Sequence, residues 1–114
     1  MKIYIAGPMT GLPEWNHPAF NAAAAELRAA GHEVVNPAEM GEKYGTADEI
    51  NADPQKLADL ILEELDAITT CDAIYLLSGW EKSPGTRREL EVALAPYNRL
   101  QIIVAPVEKN GGAA

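Results

Sequence analysis

The stretch Asp72–Ala95, DAIYLLSGWEKSPGTRRELEVALA, decides the fold class because a buried strand, a polar loop and a helix follow one another in it. The apolar run Ala73–Leu77 is typical of a strand that is covered on both faces. Glycine and proline then mark a loop, and a helix pattern begins at Thr86. In an open α/β sheet, ligands bind beyond the carboxyl ends of the strands, where such loops meet helix N-termini.

Strand and helix patterns alternate along the rest of the chain as well. Asp53 and Pro54 supply an N-cap and a first-turn proline for one helix, and Gly31 is suited to end the helix before it. Strands that alternate with helices imply a parallel sheet with right-handed crossovers. We therefore predict an α/β fold, a single-domain flavodoxin- or Rossmann-like three-layer sandwich with a four- to five-stranded parallel sheet. The predicted strands are Lys2–Ala6, Glu33–Asn36, Asp72–Leu77 and Gln101–Ala105, and the predicted helices begin near Pro18, Pro54 and Thr86.

Two segments between the second and third strands differ in their patterns. Ala38–Asn51 has no clear period and contains glycines and several acidic residues, so we expect a surface loop with at most one helical turn. A loop of this length in a small domain is often functional, and we assign it the role of a lid. The helix that follows carries apolar residues at spacings of three and four, which predict one buried face: Leu57, Leu60, Ile61, Leu65 and Ile68.

Length and composition indicate one small globular domain. The chain has 114 residues, of which we assign 1–107 to the domain and 108–114 to a disordered tail. No apolar run approaches the roughly 20 residues of a membrane span, and the N-terminus lacks a signal-peptide pattern, so we expect a cytoplasmic protein with no membrane partner. The net charge of −8 argues against a nucleic-acid polymer as partner, because phosphate backbones recruit clustered Lys and Arg. A small phosphorylated ligand is compatible with this charge.

The cysteine and histidine residues show no metal-site pattern. Cys71 is the single cysteine, and His17 and His32 lack the spacing of metal ligands. We therefore expect no metal and no other cofactor.

Glu89 has two interpretations. Thr86 and Glu89 match the capping box, in which Thr is the N-cap and Glu, at the third helical position, binds back to it. Glu89 also shares a helix face with Val92 and Ala93, which points its carboxylate toward the apolar interior. An acid on the inward face of a first turn, beside a strand end, is a candidate nucleophile or base. One carboxylate cannot fill both roles at the same moment.

Other polar positions also have a functional and a structural interpretation. Tyr4 lies in the middle of the first strand and needs a partner for its hydroxyl, which any nearby backbone group could supply. Glu64, late in the second helix, is either a solvated acid or part of a site. Trp80 could cover a base or anchor its loop, and Ser83 could bind a phosphate or complete a turn. The first loop, residues 7–11, could hold an anion through backbone N–H groups but also fits a plain turn.

Three motifs in order resemble the nucleoside 2-deoxyribosyltransferase superfamily. They are IYIAGP near the start, DAIYLLSGW after the second helix, and S-x-G-T-x-x-E-x-x-x-A from the following loop into the third helix. The resemblance covers residues 2–105 and is closest to the DUF4406 proteins of phages and prophages. Deoxynucleoside 5′-monophosphate N-glycosidases are similar in the same segments. The resemblance implies cleavage of the N-glycosidic bond of a (deoxy)nucleoside or its 5′-monophosphate, and the alternative is a non-catalytic protein that binds a nucleotide in the same pocket.

The resemblance also implies roles for individual residues. Glu89 matches the carboxylate that attacks the anomeric carbon C1′, and Tyr4 matches the tyrosine that orients this carboxylate. Glu64 stands eight positions before Asp72, where relatives carry an Asp that assists protonation of the leaving base. The implied substrate-binding residues are Gly7, Pro8, Met9, Thr10, Gly11, Trp80, Ser83, Gly85 and Thr86.

The loop before the third helix and the first turn of that helix carry further implications. Ser83 favours a 5′-phosphorylated ligand, because transferases that act on free nucleosides carry an acid at this position. Arg87 and Arg88 replace smaller or apolar residues of the relatives, and they either neutralise a phosphate or face solvent. Relatives form dimers or larger assemblies, so the resemblance implies a homodimer or a higher homo-oligomer.

Overall fold

Four parallel strands form one sheet in the computed structural model, which describes residues 1–106. The strands are Lys2–Ala6 (β1), Glu33–Val35 (β2), Ala73–Leu76 (β3) and Gln101–Val104 (β4). Their order across the sheet is β2-β1-β3-β4, and all neighbouring pairs are parallel. This arrangement confirms the predicted single-domain α/β fold with a parallel sheet. The predicted domain end at residue 107 and the predicted disordered tail, 108–114, lie outside the described residues.

The helices cover both faces of the sheet. One face packs Ile5 and Val34 against the first long helix, and the other packs Tyr4 and Ile74 against the last two long helices. No helix within residues 1–106 has the length and apolar character that a membrane crossing requires. The α-helices are His17–Ala29 (α1), Pro37–Met40 (α2), Ala47–Ala52 (α3), Pro54–Ile68 (α4) and Pro84–Leu94 (α5), and short 3-10 helices span Pro13–Asn16, Gly41–Tyr44 and Trp80–Lys82.

The chain leaves the central strands β1 and β3 toward opposite sides of the sheet. After β1 it crosses to β2, and after β3 it crosses to β4, so the crevice beyond these two strands is the topological switch point. The strands separate directly after the Leu77 N–H, which donates to the Ala6 carbonyl over 2.8 Å. A Cβ at Gly7 would lie 2.7 Å from the Leu77 Cβ, so this close crossing requires glycine.

Ala38–Asn51 is mostly helical, and the prediction of a surface loop was wrong. Helix α2, a 3-10 helix and α3 follow one another here, and Ala38 and Ile50 are buried. The Asn36 side chain caps α2, and Thr46 and Glu49 form a capping box at the start of α3. These helices contain four to six residues each, which is too short for a helical period to appear in the sequence. The lid role stays a prediction.

Helix α5 begins earlier than expected, and the predicted capping box at Thr86 was wrong. Ser83 is the N-cap, Pro84 is the first helical residue, and the Ser83 Oγ accepts from the Thr86 N–H over 3.2 Å. Proline suits the first turn because its φ is already helical and its missing N–H needs no partner. Glu89 therefore lies in the second turn, and its carboxylate is not used for capping.

The predicted apolar face of α4 is only partly covered by protein. Leu60 and Ile68 are buried, whereas Leu57, Ile61 and Leu65 are half-buried. The three half-buried residues line a cavity at the carboxyl end of the sheet.

Candidate functional site

A cavity of about 750 Å³ opens at the topological switch point. Five parts of the chain surround it: the loop after β1, the start of α1, residues 37–51, one face of α4 and the start of α5. Its volume lies within the range of pockets that bind small molecules and cofactors. Two groups of polar side chains lie at this cavity, one beside α4 and α5 and the other beside α1, and each group contains one buried residue.

The first group is Tyr4, Glu64 and Glu89, which we call the carboxylate wall. Tyr4 of β1 is fully buried, and its hydroxyl donates a hydrogen bond to the Glu89 Oε2 on α5. Glu64 and Glu89 line the cavity and are close enough to influence each other electrostatically. The structure thus brings together the three residues that were predicted to be catalytic, although they come from positions 60 and 25 residues apart along the chain.

Both carboxyl groups titrate near neutral pH. Burial raises the pKa of Glu89 to about 7, while the Tyr4 hydrogen bond and the positive charge of Arg88 favour the ionised form. Burial and the negative charge of Glu89 raise the pKa of Glu64 to about 8, and Arg88 opposes this increase. Burial and the charge of Glu89 also raise the pKa of Tyr4, so its hydroxyl stays a donor. Between the two pKa values, from about pH 7 to about pH 8, the pair can hold one carboxylate and one protonated carboxyl.

Next to the carboxylate wall, the start of α5 offers groups suited to an anion. The Ser83 N–H donates to the Trp80 carbonyl, Pro84 has no N–H, and the Ser83 Oγ caps the Thr86 N–H. The Gly85 N–H and the Ser83 hydroxyl proton are therefore the groups that this first turn can direct at a ligand. The exposed cationic side chains of Lys82 and Arg88 line the same part of the cavity.

Arg87 and Arg88 have different positions. The Arg87 guanidinium donates twice to the Glu81 carbonyl, at 3.0 and 2.6 Å, and thereby ties the preceding 3-10 helix to α5. Arg88 lines the cavity, where its charge lowers the pKa values of Glu64 and Glu89. The sequence allowed these arginines either to neutralise a phosphate or to face solvent, and the position of Arg88 is compatible with the first of these roles.

The second polar group is Asn21 and Asn36, which we call the amide wall. Asn36 follows β2 directly and is buried, and its Nδ2 donates to the Asn21 Oδ1 on α1 over 3.0 Å. Asn21 is exposed and lines the cavity beside Phe20, Pro37 and Ala38. The residues around this wall are mainly apolar and uncharged, in contrast to those around the carboxylates.

A left-handed turn connects the first loop to α1. Glu14, Trp15 and Asn16 have φ values of 52°, 54° and 59°, a conformation that disfavours residues other than glycine. The Asn16 Nδ2 donates to the Pro8 carbonyl over 2.9 Å, and the Trp15 Nε1 donates to Asp48 Oδ1 over 3.1 Å. These bonds hold Trp15 at the edge of the cavity.

The structure places most, but not all, of the predicted binding residues around the cavity. Gly11 and Trp80 do not line it, and Trp80 instead packs against the core beside α5, which matches its structural interpretation. The predicted residues that do line the cavity are Gly7, Pro8, Met9, Thr10, Ser83, Gly85 and Thr86.

Several residues of the cavity were not anticipated. Asn21 and Trp15 belong to the region around the first helix, where polar or amphipathic side chains resemble ordinary surface residues. Thr46 and Asn51 belong to residues 38–51, for which the sequence predicts a surface loop. The Asn-Pro pair that follows the second strand is a signal for the α2 cap, but the Asn21 partner lies 15 positions earlier and leaves no local pattern.

The residues described in the structure contain no group of three His, Cys, Asp or Glu side chains that could hold a metal ion.

A family model with the description "Domain of unknown function (DUF4406)" matches residues 1–104. Searches of curated proteins and of solved structures found no match.

Proposed function

This chain belongs to the DUF4406 family, and we propose that it cleaves the N-glycosidic bond of a (deoxy)nucleoside or its 5′-monophosphate through Glu89. The observation that carries the proposal is the carboxylate wall: half-buried Glu89 accepts a hydrogen bond from buried Tyr4, beside a second half-buried carboxyl group, Glu64. Paired carboxyl groups with different protonation states are what glycosidic cleavage needs. The size of the cavity also suits a ligand of this class.

In the proposed first step, the ionised Glu89 attacks C1′ of the sugar. The bond between C1′ and the base nitrogen breaks, its electron pair goes to the base, and protonated Glu64 donates the proton that neutralises this charge. Tyr4 holds the attacking carboxylate in one orientation and favours its ionised form. The product of this step is a glycosyl ester on Glu89 and a free base.

In the second step, water attacks C1′ and the ester bond to Glu89 breaks. Glu64, now ionised, takes the proton of this water and returns to its starting state. A second base that attacks C1′ instead of water would make the protein a transferase, with the same roles for both carboxyl groups.

The anion-binding groups beside the carboxylate wall support a 5′-monophosphate as the better substrate. Lys82 and Arg88 contribute positive charge, and Ser83 and Gly85 contribute hydrogen-bond donors, all near the start of α5. We propose that the phosphate binds there, next to the sugar, so that C1′ reaches Glu89.

The test is to incubate the protein with (deoxy)nucleosides and their 5′-monophosphates and to quantify free base by chromatography. We expect base release from at least one 5′-monophosphate, and the loss of this release in Glu89→Gln. Glu91→Gln is the matched control, because Glu91 is exposed on the same helix. If no compound releases base while an intact nucleotide copurifies or binds, the protein is the non-catalytic nucleotide-binding alternative. Equal release by wild type and Glu89→Gln would contradict the assigned nucleophile.

A further inference from the structure

The amide wall holds the Asn21 side chain in one of its two possible orientations. The Ala38 N–H points at one atom of the Asn36 side chain over 3.0 Å. A backbone N–H can only donate, so this atom must be the carbonyl oxygen of Asn36. The other end of the Asn36 amide is therefore its NH₂ group. Asn36 is 2% exposed, so its amide has no alternative partners in solvent.

The Asn36 NH₂ group fixes the orientation of the Asn21 side chain in turn. It donates to the Asn21 side chain over 3.0 Å, so the atom that accepts must be the Asn21 carbonyl oxygen. The Asn21 NH₂ group is left over, and among residues 1–106 it donates to no protein acceptor. Because Asn21 lines the cavity, this group is available to a ligand. The orientation thus follows from one backbone N–H, through two amides, to the cavity.

The surroundings of Asn21 indicate which part of a ligand it meets. Its neighbours in the cavity include Phe20, Pro37 and Ala38, which suit a flat, uncharged group. The positive charges and both carboxyl groups lie with α4 and α5, which cover the opposite face of the sheet from α1. A nucleotide whose sugar and phosphate occupy the charged side would direct its base toward Asn21.

We propose that Asn21, oriented by Asn36, selects nucleobases that present a carbonyl oxygen over bases that present an amino group at the same position. A fixed NH₂ group donates to a carbonyl oxygen, whereas it meets an exocyclic amino group donor to donor, which leaves both groups without acceptors. This inference rests on the proposed function for the identity of the ligand as a nucleoside or nucleotide. Asn21 contacts the base, and Asn36 is a positioning residue.

Two matched pairs of 5′-monophosphates test this selectivity. Deoxyinosine and deoxyadenosine monophosphates differ by oxo against amino at one purine position, and the deoxyuridine and deoxycytidine compounds differ likewise at one pyrimidine position. Affinity is measured by calorimetry on Glu89→Gln, which separates binding from turnover, and kcat/KM is measured on the otherwise unmodified protein. We expect the oxo compound to be favoured at least about tenfold in one of the pairs.

Two substitutions are expected to reverse this preference. Asn21→Asp replaces the NH₂ group by an acceptor while the Asn36 bond is kept. Asn36→Asp acts indirectly, because both oxygens of the introduced carboxylate can only accept hydrogen bonds. One oxygen accepts from the Ala38 N–H, and the other accepts from the Asn21 NH₂ group. The Asn21 amide must therefore turn its carbonyl oxygen toward the ligand. A reversal in this second variant requires positioning of Asn21, because Asn36 itself does not line the cavity. If Asn36→Asp does not fold, Asn21→Asp decides the question alone.

Glu26→Gln is the control, since it is another exchange between amide and carboxylate on α1 but lies outside this cavity. We expect it to keep the wild-type preference. Equal affinity for oxo and amino compounds, or an oxo preference that persists in Asn21→Asp, would overturn the inference even if base release is observed. Conversely, a preference that reverses in calorimetry without any base release would support the inference and contradict the proposed catalysis.

Discussion

The carboxylate wall and the amide wall are built on the same plan but carry different chemistry. In each, a buried polar residue at or just after a strand donates one hydrogen bond to a helical side chain in the cavity: Tyr4 to Glu89, and Asn36 to Asn21. The carboxyl groups of the first wall titrate near neutral pH because burial opposes their charge. The amides of the second wall do not ionise. One plan therefore yields one end that responds to pH and one that does not, and our proposals assign reaction to the first and recognition to the second.

The difference follows from the cost of burial. A buried carboxylate loses hydration that one hydrogen bond does not replace, so its proton affinity rises. A buried amide needs partners for its oxygen and its NH₂ group, and Asn36 finds one for each. Its position is thus fully determined without any change in charge. The following predictions, in order of decreasing effect, test this division between reaction and recognition.

Removal of the nucleophile should have the largest effect. Glu89→Gln keeps the size and the position of the side chain, but its amide is a far weaker nucleophile, so base release should fall at least about 1000-fold. In Asn21→Ala, by contrast, kcat/KM should fall by about tenfold, the usual consequence of one lost hydrogen bond. Steady-state rates with the best 5′-monophosphate compare the two variants. Similar losses in both would remove the distinction between the two walls.

Tyr4→Phe should have an intermediate effect, confined to the carboxylate wall. The hydrogen bond to Glu89 lowers the pKa of this carboxyl, so its loss raises that pKa and shifts the acidic limb of the rate profile to higher pH. Because this hydrogen bond is made to a charged group, its loss should lower kcat by about 10- to 100-fold. Tyr97→Phe is the control, because Tyr97 is 83% exposed. An unshifted acidic limb in Tyr4→Phe would show that Tyr4 does not influence the nucleophile.

The pH dependence of the rate should depend on the carboxylate wall and not on the amide wall. The rate should increase as Glu89 loses its proton near pH 7 and decrease as Glu64 loses its proton near pH 8, which gives a narrow bell. Glu64→Gln should abolish the decrease at high pH and lower the maximal rate. Asn21→Ala should keep both limbs in place, since the amides do not titrate. Displaced limbs in Asn21→Ala would contradict a recognition end that is independent of pH.

The free energy of unfolding should also depend on pH through the carboxylate wall but not through the amide wall, and these effects should be the smallest. The folded-state pKa of Glu64 lies above its unfolded value, so from about pH 4.5 to pH 8 the folded state retains a proton that the unfolded state has lost. The free energy of unfolding therefore decreases as the pH rises through this window. Glu64→Gln avoids that loss, so it should raise Tm relative to wild type at pH 8 but not at pH 4.

Asn36→Ala should instead lower the free energy of unfolding by about 1–3 kcal/mol at both pH values, because the Ala38 N–H loses its buried partner. Thermal unfolding followed by circular dichroism measures both variants. A difference between pH 4 and pH 8 in the effect of Asn36→Ala would contradict a neutral amide wall.

The two walls also differ in how far they could be predicted. Tyr4 and Glu89 lie on a clear strand and a clear helix, so the sequence pattern placed Tyr4 in the middle of a buried strand and Glu89 on the inward face of a helix. The family resemblance related both residues, and Glu64, to one site. Asn21 and Asn36 carry no such signal in the sequence, because asparagine is common on surfaces and at helix caps. The helices of residues 37–52 were missed for a related reason, since their stability comes from caps and from buried Ala38 and Ile50 rather than from length.

The sequence by itself determined the α/β class and the parallel sheet, because hydrophobic periodicity and turn residues act over short stretches. The inward helix face made Glu89 a candidate nucleophile or base, and the family resemblance alone implied the nucleophile role. Only the tertiary structure decided that Glu64 and Glu89 share one partly desolvated environment and which end of the Asn21 amide is left for the cavity. These outcomes depend on desolvation and hydrogen bonds between groups that the fold brings together, some from distant segments. Such interactions exist only once the chain has closed around the cavity.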